Sequence, residues 1–302
     1  MPEEGVNSEP ISVTMYAEKD LTPSHVPCIV VPMATTQNLN RMLEGLGLTR
    51  ADLPSLAESR KAWAAMRVEY GFAAGDGKVD LLAVGANVKI AKNIVRTWTL
   101  TLVPSDLSLR WNVCTWATQQ CRKACVMWTA GRQYDSVRRG RLVRTAFLAQ
   151  HPAEFLAILT DEIRRREDAG VAFGLRLNVA SDLRWENIAP WLFDGANVRA
   201  YDYTKAPSRT TPDNYRITYS HSERWTDDRV ENMVAAGHNV AMVFDVPKHQ
   251  LPATHLGIRV IDGDLTDYRY GDEEGVIVGL AAKGAAKGMG GEGQFVTIGK
   301  VA

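Results

Sequence analysis

The stretch Thr97-Trp-Thr-Leu-Thr-Leu-Val103 leads into a loop that carries Cys114, Cys121 and Cys125. Its β-branched and aromatic residues read as a strand. The three thiols fall within twelve residues of a chain that has only four cysteines. Such clustering points to a metal or iron–sulfur site. A strand, a cysteine-bearing loop and then helices is also the order in which a parallel α/β barrel holds a cluster at its catalytic mouth, at the carboxyl ends of the strands.

Outward from this loop, strand and helix signals alternate almost to the end of the chain, which argues for a parallel sheet. The expected strands are Trp98–Val103, Ala172–Val179, Val198–Tyr203, Tyr215–Tyr219, Asn239–Val246, Ile258–Ile261, Val276–Leu280 and Gln294–Ile298. Eight is the count of a barrel, so the fold class expected is α/β: a TIM-like parallel (β/α) barrel or partial barrel. Helices are expected over Tyr134–Gln150, from Pro152 with Phe155, Leu156, Ile158, Leu159 and Ile163 on one face, and from Thr226 to Gly237. Asn38 to Tyr70 has helical periodicity through Leu39, Met42, Leu43, Leu46, Leu56, Trp63 and Met66. Residues 1–78 are therefore expected to form a helical N-terminal extension, and residues 79–302 the barrel domain with its cysteine loop.

The 302 residues are 45% hydrophobic, enough to bury one large core. Lys plus Arg equals Asp plus Glu at 35 each, so no global basic field announces a nucleic-acid binder and any such partner must use a local patch. No stretch reaches the roughly eighteen uncharged apolar residues that span a bilayer, and the first residues, rich in Glu and Pro, lack a basic-then-apolar leader. A cytoplasmic protein with no membrane partner is expected. Clustered thiols suit a reducing compartment better than a disulfide framework, with Cys28 standing apart.

Polar residues just past each strand's carboxyl end would share one mouth. After the second strand come Asn178, Ser181, Asp182 and Glu186; after the third, Asp202, Tyr203, Lys205 and Arg209; after the fourth, Ser220, His221, Ser222 and Glu223. The later strands add Asp245, then Asp262, Asp264, Asp267 and Arg269, then Lys283. Any one of these also serves as an ordinary helix cap, as Ser181-Asp182 before Trp185–Phe193 would. The cysteine loop reads C-x6-C-x3-C. Soft thiolates choose zinc or iron–sulfur, and three of them leave a fourth position open.

The segments Trp111-Asn-Val-Cys114, Asn178-Val-Ala-Ser-Asp182, Tyr201-Asp-Tyr-Thr-Lys205 and Ile261-Asp-Gly-Asp264 with Asp267 and Arg269 resemble the mycobacteriophage gene-product-88 family over roughly residues 80–298. More distantly, the Trp-Asn ahead of three loop cysteines and the Asn-x-x-Ser-Asp are similar to radical S-adenosylmethionine enzymes. Their usual spacing is C-x3-C-x2-C with an aromatic residue before the last cysteine, where this chain has Ala124. The resemblance implies a 4Fe-4S cluster on Cys114, Cys121 and Cys125, an S-adenosylmethionine cosubstrate gripped by Asn178, Ser181, Asp182 and Arg209, and an external electron donor. Asp182, Asp202, Lys205 and Asp264 are the catalytic candidates.

Arg132, Arg138, Arg139, Arg141 and Arg144 follow the cysteines, with Trp128 and Tyr134 nearby, so a nucleotide or nucleic-acid substrate is expected through Arg132, Arg138 and Arg141. A solvated helix face balanced by Glu154, Asp161 and Glu162 would look the same. Three readings compete: a phage-encoded radical-type iron–sulfur enzyme, a zinc-containing nucleobase transglycosylase with an aspartate nucleophile such as Asp182, Asp202 or Asp264, and a zinc-stapled nucleic-acid-binding module.

Overall fold

In the computed structural model, β3 (Thr97–Thr99) is the first of a row of parallel strands. The structure describes residues 36–75, 78–84, 95–105, 107–108, 110–125, 127, 134–247, 249–291 and 294–297. Cys28, Trp128, Arg132 and Ile298 lie outside the described residues. The other strands are β1 (Gln37–Asn38), β2 (Ala83–Val84), β4 (Trp111–Asn112), β5 (Phe173–Arg176), β6 (Val198–Thr204), β7 (Tyr215–Ser220), β8 (Asn239–Phe244), β9 (Thr254–His255), β10 (Ile258–Asp262), β11 (Ile277–Ala281) and β12 (Val296–Thr297). The helices are α1 (Leu39–Leu46), α2 (Leu56–Glu69), α3 (Gln119–Lys123), α4 (Asp135–Gln150), α5 (Pro152–Glu167), α6 (Trp185–Ile188) and α7 (Asp227–Ala235).

The sheet order is β2-β3-β5-β6-β7-β8-β11-β10-β9, parallel from β3 through β10, with antiparallel β2 and β9 at its two ends. Chain neighbours are mostly sheet neighbours, as in a barrel, but the sheet is open: among the described residues β2 and β9 do not pair with each other. The fold is thus mixed α/β on a largely parallel sheet, and among the described residues no closed barrel is found. β12 has an unexpected place. It pairs with Val243 and Phe244 of β8, whose other edge holds β11, so it occupies the β7 side where β7 has already diverged beyond Ala241.

Strands are shorter than their sequence runs because other groups take the ladder. Val103 N–H donates to Thr145 Oγ1 of α4 (2.9 Å) rather than to a neighbouring strand. Gly174 is required by close approach, since a Cβ there would collide with Thr97 on β3. One sheet face carries the helices. Phe173, Leu175, Val198 and Ala200 pack with Phe147, Phe155, Leu156 and Leu159, while α7 covers Tyr219, Val240, Met242 and Ile277 through Val230. Trp98 lies on this face under the Arg166 guanidinium, 3.7 Å from the ring centroid. The opposite face is covered by the β10–β11 connection: Tyr268 meets Tyr201 edge-on (5.4 Å), Asp267 pairs with Arg176, and Arg176 lies over Tyr203 (5.1 Å).

The helical residues upstream of the sheet join the same core. Leu39, Leu43, Trp63 and Met66 are buried in it, and residues 33–302 make one compact unit. Ser55 and Glu58 form a capping box that starts α2, and Pro152 occupies the first turn of α5. α2 packs on α5, and Glu162 of α5, fully buried, binds the segment between α2 and the sheet by accepting Leu81 N–H (2.8 Å) and Leu82 N–H (2.9 Å).

Burial outweighs those two donors and pushes the Glu162 carboxyl up to about 7 from 4.5. The folded chain therefore holds a proton that the unfolded chain releases, and this group's contribution to stability falls as pH rises from 4.5 through about 7. Glu162→Gln keeps one acceptor for two N–H groups and is expected to cost about 1–3 kcal/mol while flattening that pH slope. Urea unfolding of both proteins at acid and neutral pH checks this, and parallel pH profiles would contradict it.

Candidate functional site at the carboxyl edge of the sheet

The site is built from a buried polar network at the ends of β5, β6 and β7. Asp202, in β6, is buried and accepts from Asn178 N–H (2.8 Å), Asn178 Nδ2 (3.3 Å) and the Tyr215 hydroxyl (2.8 Å). Asn178 in turn closes the turn after β5, its Oδ1 accepting from Ser181 Oγ (2.8 Å) and Leu183 N–H (2.9 Å). That turn aims Asp182 at β6, where its carboxylate accepts from Thr204 Oγ1 (2.6 Å) and Lys205 N–H (2.8 Å). Arg209, whose side chain is wholly buried, donates to both Glu186 oxygens in a fork, to the Tyr215 hydroxyl (3.0 Å), and stands 3.9 Å from Asp182. Burial raises the Asp182 carboxyl, and lifts that of Asp202 to about 6 against the pull of Arg176 and Arg209.

The cysteine loop docks on this network. Asp182 N–H donates to Val113 O (2.8 Å), and the Cys114 thiol donates to Ala180 O (3.4 Å). From the other side β1 pairs with β4, Asn38 caps α1 and accepts from Thr115 Oγ1 (3.3 Å), and Asn40 accepts Arg184 N–H (2.7 Å). Thr118 caps α3, donating its hydroxyl to Glu223 (2.7 Å), which also accepts Gln120 N–H (3.1 Å), so a carboxylate sits at this helix start. Cys121 lies within α3 and Cys125 four residues on, just past its C-cap Ala124. Burial first, then Asp182 and the Cys121 and Cys125 sulfurs, hold the Cys114 thiol well above its ordinary range. Among the described residues no group of three or more His, Cys, Asp or Glu is arranged to hold a metal.

The rim is basic. Lys205 Nζ donates to His221 O (3.1 Å) and lies 5.1 Å from the Phe295 ring centroid. His221 is buried, its Nδ1 has no hydrogen-bond partner, and burial with Lys205 pulls its imidazole down to about 4. Asp264 sits apart, on the β10 side, where it accepts from Lys283 Nζ (2.6 Å) and Ala281 N–H (2.9 Å). The Ala/Gly-rich segment after β11 folds over the loop: Ala282, Ala286 and Val296 pack on Ala124, and Phe295 N–H donates to Gln120 (2.9 Å). On α4, Arg138 is exposed beside Asp135 and Arg141 is buried, so these two do not share a solvent face.

The structure therefore joins Asn178, Ser181, Asp182, Asp202 and Arg209, attaches Cys114 and Lys205, and leaves Asp264 in a separate ion pair. Tyr215, Thr204 and the Gln120–Phe295 link escaped the sequence reading. A buried tyrosine hydroxyl needs a partner, which is the signal that would have tied Tyr215 to a carboxylate. The described residues hold no helix long and apolar enough to cross a membrane.

Fold and site define an α/β protein with a thiol-rich loop seated on the carboxyl ends of an open parallel sheet. The chain belongs to a family of phage proteins described as Gene product 88, whose family model matches residues 77–292. No curated protein and no solved structure matches it.

Arg209→Met strands Glu186 and Asp182 as uncompensated buried acids and is expected to cost about 3–5 kcal/mol in denaturant unfolding. A loss under about 1 kcal/mol, the range of a surface pair, would show that the network is not holding the strand ends.

Proposed function

We propose that the protein is an iron–sulfur enzyme of the radical S-adenosylmethionine kind, encoded by a phage and acting on a nucleotide or nucleic acid. The observation that carries this reading is the seating of the thiol loop on the carboxyl ends of the sheet, Cys114 against Ala180 and Val113 against Asp182, where an α/β enzyme gathers its reacting groups. The donor set suits the cluster: Cys114, Cys121 and Cys125 are soft ligands from one loop. Among the described residues they are not arranged to hold a metal, so cluster binding would have to draw the three sulfurs together as it deprotonates them. When bound, the cluster supplies an electron to the cosubstrate.

The chain's own groups divide by exposure. Asp202, Asp182, Glu186 and Arg209 are buried and linked through hydrogen bonds and ion pairs, which fits positioning: they set the turn after β5 that carries Asn178 and Ser181, and Asp182 holds the Lys205 N–H just past β6. Lys205 presents an ammonium group at the rim, a match for a carboxylate or phosphate. His221, neutral at physiological pH, offers an unpartnered nitrogen that can accept a proton or a hydrogen bond. The largely parallel sheet with helices on one face supports reading the fold as a partial barrel, which is part of this proposal. A zinc-bearing transglycosylase is less favoured because each candidate aspartate is already an acceptor for two or more donors.

Protein purified without oxygen is expected to be brown, to contain iron and acid-labile sulfide, and to lose both in Cys114→Ala, Cys121→Ala and Cys125→Ala variants that remain folded. Colourless protein with bound zinc and no iron would overturn the reading in favour of the zinc enzyme.

A further inference from the structure

α2 ends in a left-handed glycine, Gly71 (φ +76°). Gly71 N–H bonds to Val68 O (2.9 Å) and Phe72 N–H to Arg67 O (2.9 Å), the pairing that folds the chain back over a helix end. This reversal lays Phe72 against Arg67, whose guanidinium carbon is 4.8 Å from the ring centroid. From α4, Arg139 reaches the same ring (5.5 Å) and donates Nη1 to Gly71 O (3.0 Å). Two guanidinium groups thus share one aromatic ring. Arg144, further along α4, has its charge disfavoured by burial, favoured by Glu162 and disfavoured again by Arg67 and Arg141.

Stacking explains where these side chains lie; the nearby carboxylate, Glu69 at the end of α2, acts on Tyr70 and is not paired with either guanidinium. Neither Arg67 nor Arg139 has an acidic partner among the described residues, Asp135 is engaged with Arg138, and Glu162 lies buried beneath. The Phe72 ring is partly buried against the core, and the attraction of each cation to it is opposed by repulsion between the two like charges. Cationic groups collected in this way favour a polyanion. The surface also leads somewhere: Arg110 acts electrostatically on Tyr70 and lies over Trp111 (5.1 Å), the first residue of the strand that opens the cysteine loop. Tyr134, the N-cap residue of α4, is 71% exposed, an aromatic face available to a base.

We propose that the surface joining the end of α2 to the start of α4 binds the sugar–phosphate backbone of a single-stranded nucleic acid through Arg67, Arg139 and Arg110, and directs that strand to the cysteine loop. This deepens the functional reading above by assigning its substrate class. Binding needs no cluster, however, so the two fail separately: cysteine variants that lose iron should bind as the parent does.

The test is fluorescence anisotropy of a labelled single-stranded oligodeoxynucleotide with the full chain over a range of salt. Binding at low salt that weakens as salt rises is expected. The double variant Arg67→Glu/Arg139→Glu should bind at least tenfold more weakly. The milder Arg67→Gln/Arg139→Gln, a safeguard should charge reversal disturb folding, should lower the slope of log affinity against log salt by about one to two. Arg259→Glu, on the far edge of the sheet and paired with Glu273, should change nothing. Absence of binding by the parent protein, equal binding by the glutamine variant, or an equal loss in Arg259→Glu would overturn the proposal.

Discussion

The buried fork between Arg209 and Glu186 is the interaction on which the rest of the site depends. Parallel strands end in unsatisfied carbonyls and turns, and whatever fixes those turns fixes everything hung from them. Here one guanidinium braces Glu186 and Tyr215; Tyr215 bonds Asp202, and Asp202 holds the Asn178 turn. That turn sets Asp182, whose own N–H meets Val113 at the root of the cysteine loop. Taking three carboxylates out of water is costly, and a hydrophobic set of similar volume would often be as stable. The bonds join the loop to the strand ends at fixed atoms, Val113 to Asp182 and Cys114 to Ala180.

The sheet explains why such a network has room. In a closed barrel the inner face is filled by layers of apolar side chains. In this open sheet that face carries Arg176, Tyr201 and Tyr203 and is covered by a loop bearing Asp267 and Tyr268. Helices line the other face, leaving the carboxyl edge to be roofed by chain from both ends of the sequence. β1 and α1 clamp one side of the cysteine loop, and the segment after β11 folds down on the other.

Much of this was legible in the residues, and the parts that were not have physical causes. Alternating strand and helix signals gave the parallel sheet because strands buried on both faces are continuously apolar. The face of α5 followed from Pro152 and its 3.6-residue spacing. Asn178, Asp182 and Lys205 were visible as strand-end polar residues, yet their partners were not, because a bond such as Arg209–Glu186 joins residues 23 positions apart and nothing local encodes it. Barrel closure was inferred from a count of eight, and a count contains nothing about whether the end strands meet. β12 counted as one of those eight but pairs along β8 rather than closing the circle. The Phe72 surface escaped because it needs two helices to assemble it, whereas Arg138 and Arg141 looked equivalent along one helix and differ in burial.

Hydrogen–deuterium exchange of residues 111–125 in Glu186→Gln, against the parent protein, asks most directly whether the buried network seats the cysteine loop. Loss of one fork partner should speed exchange throughout that segment while α5 keeps its protection. Unchanged protection of the loop would mean that the clamp from β1 and α1 holds it unaided, and that the network has another role.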